Sequence, residues 1–272
     1  MPDPDAAAAD CCPLCRAAPS LPRRSVLLLA ASLAACDDNP DRAWPINLVS
    51  TAQVEQLGGK TWQRILAGTP QARDPARREA VTAISRRLLR AAGEDPGAWQ
   101  VAVFAQPAIN AFALPGRYIG VFEGMFRVAD TPGRLAAVIG HEIGHVQSRH
   151  GQERMNAAVA KQIGLRVLAV ALQLGNVAQA NEIAALLGAG VEFGLLLPYS
   201  RRQELEADRR GLRLMTKAGF DGKEAIALWQ RMAAGDARRG PSFLATHPAA
   251  RDRIRALEVE MGELARGTAA SQ

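Results

Sequence analysis

The chain has 272 residues, 48% apolar and 22% charged, which is enough to bury a core in one generous domain or two small ones. Its net charge of +6 comes from arginines scattered among acids, with no basic run interleaved with aromatics, so a nucleic-acid partner is not expected. All four cysteines lie at positions 11, 12, 15 and 36, so the remainder carries neither a disulfide framework nor thiolate metal ligands.

Arg23-Arg24 precede an apolar run from Val26 to Ala35. A bilayer span needs about 20 residues, so this run is too short to cross. It has the length of an export-signal core. It ends in Leu33-Ala34-Ala35-Cys36, which resembles a bacterial lipobox, where the chain is cut before the Cys and the Cys takes the lipid. The expectation is a signal peptide over 1–36 with lipidation at Cys36. A polar, Pro-containing tether over 37–49 follows. The protein would then sit on the periplasmic side of a bacterial envelope, held to the inner or outer membrane by that lipid.

Helical periodicity runs from Ser50 to Leu66 and from Pro75 to Ala92, the second opened by the Asp74-Pro75 pair. After a turn at Gly93–Gly97, three short apolar stretches read as strands: Trp99–Phe104, Ile109–Leu114 and Tyr118–Phe122. With a Pro115-Gly116 turn between the last two, they predict a small antiparallel sheet.

Thr131-Pro132 reads as cap and first turn of a helix reaching Arg149. It carries His141-Glu142-Ile143-Gly144-His145, a match to H-E-x-x-H. Residues four apart on a helix stack on one face, about 5–6 Å between Cβ atoms, so both imidazoles can reach one ion. Glu142 projects about 100° around the helix, which suits a base touching water rather than a third ligand. His150, about 140° around from His145 if the helix continues, is expected to make a structural hydrogen bond.

Residues 155–198 are Ala-, Leu- and Gly-rich and read as a pair of packed helices, a lid or a bilayer-touching face. Next, Ser200-Arg201-Arg202-Gln203-Glu204-Leu205-Glu206-Ala207-Asp208 puts Glu204 and Asp208 on one helical face, with Glu206 away from it. A catalytic zinc takes three protein ligands and a water, so Glu204 is the candidate third ligand. Asp208 is placed to accept the free ring N–H of a ligating His. Asp221-Gly222 opens a helix through Met232, and Thr246-His247-Pro248 introduces a last helix, Ala249–Leu264. His247 reads equally as a loop histidine, an oxyanion donor or a fourth ligand.

Four blocks together resemble a known family: Asn110 to Gly116, His141 to His145, Ser200 to Glu204 with Ala207-Asp208, and Thr246-His247-Pro248 with Arg253-Ile254. The chain resembles the zinc metalloendopeptidases related to HtpX and the CAAX prenyl protease, in the BepA- and LoiP-like periplasmic branch. The resemblance implies an α+β, mainly helical, zincin-like (gluzincin) domain over 50–266, followed by a tail at 267–272. It implies one Zn2+ per chain on His141, His145 and Glu204, Glu142 as catalytic base and Asp208 behind the ligands. It also places Asn110 and Ala111 on a substrate-facing strand and His247 near the metal as a further catalytic candidate. Polypeptides would be the substrates, and quality control of misfolded or misassembled envelope proteins the task. The chain departs from HtpX in lacking multiple spans, and it ends eight residues after Leu264, where BepA-like members append helical repeats. The competing expectation is a zinc-stabilised chaperone or assembly factor with latent or incidental proteolysis.

Overall fold

The computed structural model describes residues 47–174, 199–234, 242–247 and 251–269. The expected signal peptide with Cys36, most of the tether, residues 175–198 and the last three residues lie outside the described residues. The chain divides into a main body, residues 39–163 and 189–272, and a second unit, residues 1–38 and 164–188. Of the second unit only 164–174 is described, as helix.

Helix α1 is Thr51–Gly68, opened by a capping box in which Ser50 accepts from the Gln53 amide and Gln53 accepts from the Ser50 amide. Its Trp62, almost fully buried, is ringed by Phe104, Phe112 and Tyr118, and stacks on Tyr118 with 5.3 Å between centroids. The indole N–H donates to Gln100 Oε1 at 2.8 Å, so the apolar body is buried without orphaning its donor. Helix α2, Pro75–Ala91, begins at the Asp74 cap and buries Val81, Ile84, Leu88 and Leu89 along one stripe.

The sheet has three strands: β1 Gln100–Phe104, β2 Ala111–Leu114 and β3 Tyr118–Phe122. Their order is β1-β3-β2. The β2–β3 hairpin is antiparallel, with Gly116 at φ 90° and Arg117 at φ 77° in its turn. The pairing of β1 with β3 is parallel, so the sheet is mixed rather than wholly antiparallel as expected. The cause is that β3 inserts between β1 and β2, which leaves β2 as an edge.

Helix α3, Pro132–Gln147, lies at the centre. Thr131 caps it by accepting from the Arg134 amide, and every residue from Leu135 to His145 is buried. It packs against β2, α2 and two later helices, most extensively on the one spanning Arg201–Lys217. The remaining helices are α4 His150–Leu174, α5 Arg201–Lys217, α6 Lys223–Ala234, the short α7 Ser242–Thr246 and α8 Arg251–Ala269. Ser200 and Gln203 form a second capping box at α5. Helix α7 was not foreseen, and α8 is described from Arg251 onward. Among the described residues no helix is long and apolar enough to cross a membrane.

The α3–α5 crossing is built from small residues. A methyl group on Gly211 of α5 would stand 2.7 Å from the His141 nitrogen, and one on Gly144 of α3 would stand 2.8 Å from the Ala207 carbonyl oxygen. Side chains at these positions would hold the helices apart, so the glycines set the distance across which α5 carboxylates reach α3 imidazoles.

Candidate metal centre

His141, His145, Glu204 and His247 are all buried, and one donor atom from each lies within 4.8 Å of the others. His141 Nε2 and His145 Nε2 are 3.0 Å apart. His247 Nδ1 lies 3.3 Å from His141 Nε2 and 2.9 Å from Glu204 Oε1. Glu204 Oε1 is 3.4 Å from His145 Nε2.

The donor chemistry fits a divalent ion. Asp208 Oδ1 sits 2.9 Å from His141 Nδ1, so that nitrogen carries the proton and the Nε2 lone pair faces the cluster. Three imidazole nitrogens and a carboxylate then converge at one point, a set suited to zinc. His141, His145 and Glu204 would hold the ion, with His247 beside them.

The acids are polarised by their surroundings. Burial pushes Glu204 up, but the His145 and His247 rings beside it and the Arg253 guanidinium outweigh it and hold the carboxyl well below the usual range. Asp208 is likewise raised by burial and then lowered further by Arg253. Burial lowers His145 strongly, keeping its ring neutral. For His141, burial works against the charged form, yet the Asp208 bond wins and raises it.

Arg253 of α8 is the residue whose role sequence reasoning missed. Only 1% exposed, it bonds both Asp208 oxygens at 2.6 and 2.7 Å and reaches Glu204 Oε2 at 2.5 Å. Its guanidinium also lies 3.6 Å from the centre of the Trp229 ring. One planar cation thus orients two carboxylates from successive turns of α5.

Glu142 faces the other side of the cluster. Its Oε2 accepts from the Ala113 amide at 3.1 Å, while Oε1 is buried without a hydrogen-bond partner among the described residues, 3.5 Å from His247 Nε2. Burial is the main cause that raises its pKa. The Ala113 bond locates the edge of β2: Asn110 O accepts from Phe122, so by alternation Ala111 and Ala113 turn their main-chain groups outward. Asn110 and Ala111 line the same cleft, about 460 Å³, that includes Glu142, His145 and His247.

His247 is fixed by its neighbours. Its amide donates to Phe243 O, Phe243 N donates to Ile109 O, and the His247 ring stacks on Phe243 at 4.3 Å. Tyr199 stacks on His145 at 3.7 Å, and burial raises its hydroxyl to about 12. No sequence signal marked Tyr199 in advance.

A His-Glu-x-x-His helix crossed at close range by a helix bearing a buried Glu defines the metallopeptidase class. The model of Peptidase family M48 matches residues 75–261, and the chain belongs to that family. It is 36% identical over 180 residues to the mitochondrial metalloendopeptidase OMA1 of Schizosaccharomyces pombe, covering 65% of this chain and 51% of that one. It is 30% identical over 253 residues to a putative beta-barrel assembly-enhancing protease of Vibrio cholerae, covering 89% of this chain and 49% of that one. The beta-barrel assembly-enhancing protease of Escherichia coli K12 is 27% identical over 215 residues, with 76% and 43% covered. The chain spans about half the length of these relatives.

Proposed function

We propose that this chain is a zinc-dependent endopeptidase of the bacterial envelope, anchored by lipid at Cys36, that cuts misfolded or misassembled envelope proteins. The observation that carries the peptidase reading is Glu142. It is a buried carboxylate with one oxygen tied to the edge strand and the other, without a hydrogen-bond partner among the described residues, beside the His141–His145–Glu204 cluster. The envelope task is supported by likeness to beta-barrel assembly-enhancing proteases, and the anchor by the Leu33–Cys36 pattern.

A bound divalent ion supplies Lewis acidity, polarising a carbonyl and acidifying water. The chain's own residues do the rest. Main-chain groups of Ala111 and the carbonyl of Ala113, whose amide Glu142 holds, pair with an extended substrate, as an added strand does at any open edge. Glu142 takes a proton from the attacking water and passes it to the leaving amine, for which its burial-raised pKa suits it. Asp208 and Arg253 keep His141 and Glu204 aimed. Glu142→Gln is expected to bind zinc as tightly as wild type and to lose cleavage of a denatured periplasmic protein by at least about 10²-fold. Wild-type turnover in that variant would refute the assignment.

A second reading is favoured by the presence of His247 as fourth member of the cluster. With His247 occupying the remaining position, proteolysis would be latent and the chain would serve as a zinc-stabilised assembly factor. Persistent lack of turnover by a zinc-loaded chain, with His247 shown as a ligand, would support it.

A further inference from the structure

We propose that His150 and Glu206 form a relay behind His145, in which His150 is a positioning residue that sets the tautomer and aim of that imidazole. The proposal rests on the metal site described above and adds residues outside the ligand set.

The geometry begins at the end of α3. Its last residue is Gln147, and Arg149 then takes φ 55°, a left-handed conformation. This break stops the helix and restarts it as α4 at His150. His150 is thereby folded back beneath His145, fully buried, with its Nδ1 2.8 Å from His145 Nδ1. The two rings are steeply inclined, 71° apart, so the contact is edge-on between nitrogens rather than a stack.

Two nitrogens at that distance share one proton, and the rest of the site decides whose it is. His145 Nε2 points at His141 and Glu204. To offer a lone pair there, His145 must carry its proton on Nδ1 and donate it to His150 Nδ1. His150 must then be protonated on Nε2. That nitrogen faces Glu206 Oε2 at 3.5 Å, and Glu206 Oε1 accepts from Ser148 Oγ at 2.8 Å. Arg202 and Arg210, one turn to either side on α5, pair with Glu206 and keep it anionic. With the His145 Nε2 lone pair given to an ion, every proton in the chain from His145 to Glu206 follows.

The two helical imidazoles are therefore backed differently. His141 donates to a carboxylate that Arg253 clamps. His145 donates to a neutral ring, and the carboxylate stands one step further out. His150 has no route to the cation itself, because its Nδ1 is taken by His145 and its Nε2 faces away toward Glu206.

The test uses the full chain and Zn2+ in chelator competition, with Co2+ absorption as a second reading. His150→Leu is expected to weaken zinc binding by about 10- to 100-fold, the cost usual for losing such a partner. His150→Asn, which returns an acceptor near the same place, is expected to recover most of that loss. A role limited to filling space predicts the reverse order, since Leu packs better than Asn. In 15N spectra of histidine-labelled, zinc-loaded wild type, His150 should show a bare Nδ1 and a protonated Nε2. Unchanged zinc affinity in His150→Leu, or the opposite tautomer in wild type, overturns the relay. If His150→Leu does not fold, Glu206→Ala, a change at a partly exposed residue, should still lower affinity. Failure of wild type to bind zinc would instead sink the metal reading, so the two failures are distinct.

Discussion

Gly211 of α5 lies so close to His141 of α3 that a single methyl group on it would sit 2.7 Å from the His141 nitrogen. The neighbour is backbone, so nothing can swing aside. Gly211→Ala is expected to push the helices apart, cost about 1–3 kcal/mol of stability, and weaken zinc binding because Glu204 and Asp208 ride on α5. Gly68→Ala, at the end of α1 with nothing among the described residues within 4 Å, is the control and should change neither. Denaturant unfolding with zinc titration checks both.

Arg253 ties Glu204 to Asp208 inside the protein. Arg253→Met leaves two buried carboxylates without their cation, and breaking such a group costs about 3–5 kcal/mol. Arg253→Lys keeps the charge but lacks the planar fork, so it is expected to fall between Met and wild type. Both variants should bind zinc more weakly, measured by chelator competition. A variant that melts and binds like wild type would remove Arg253 from the site.

How much of this was legible beforehand follows from how local each signal is. The Thr131 and Asp74 caps were readable because a cap is decided within four residues. The sheet was harder: β1 and β2 adjoin in sequence, and only tertiary packing inserts β3 between them in parallel with β1. His150 was expected to make a structural hydrogen bond, and it makes one to His145, but its place beneath that ring could not be read because the left-handed Arg149 that follows α3 has no sequence mark. Arg253 stood in the sequence only as part of the Thr246–Ile254 block, with no role attached. Its burial depends on α8 lying across α5, which periodicity does not reveal.

Glu142 also predicts a pH signature for the metal-free chain. Burial raises its carboxyl above the ordinary value of 4.5. Between 4.5 and that raised value the folded chain holds a proton the unfolded chain has released, so stability falls as pH rises. Glu142→Gln cannot titrate and escapes this loss. Its stability relative to wild type is expected to be flat below about pH 4.5 and to climb above it. Urea melts from pH 4 to pH 8 read the difference, and a difference independent of pH would contradict the burial argument.

His247 holds the position on which the two functional readings divide. Its Nδ1 faces the cluster while its Nε2 faces Glu142, so one ring touches both the cation's surroundings and the base. Because His141, His145 and Glu204 suffice as ligands, His247→Ala is expected to retain one zinc per chain, with lowered affinity. Stability should also drop, since the ring stacked on Phe243 is lost. Turnover then gives the sign. A faster variant means the ring shuts the site at rest, and a slower one means it donates to the developing oxyanion. Zinc lost altogether would mean that the three-ligand set is wrong, because the remaining imidazoles and carboxylate would not hold the ion by themselves.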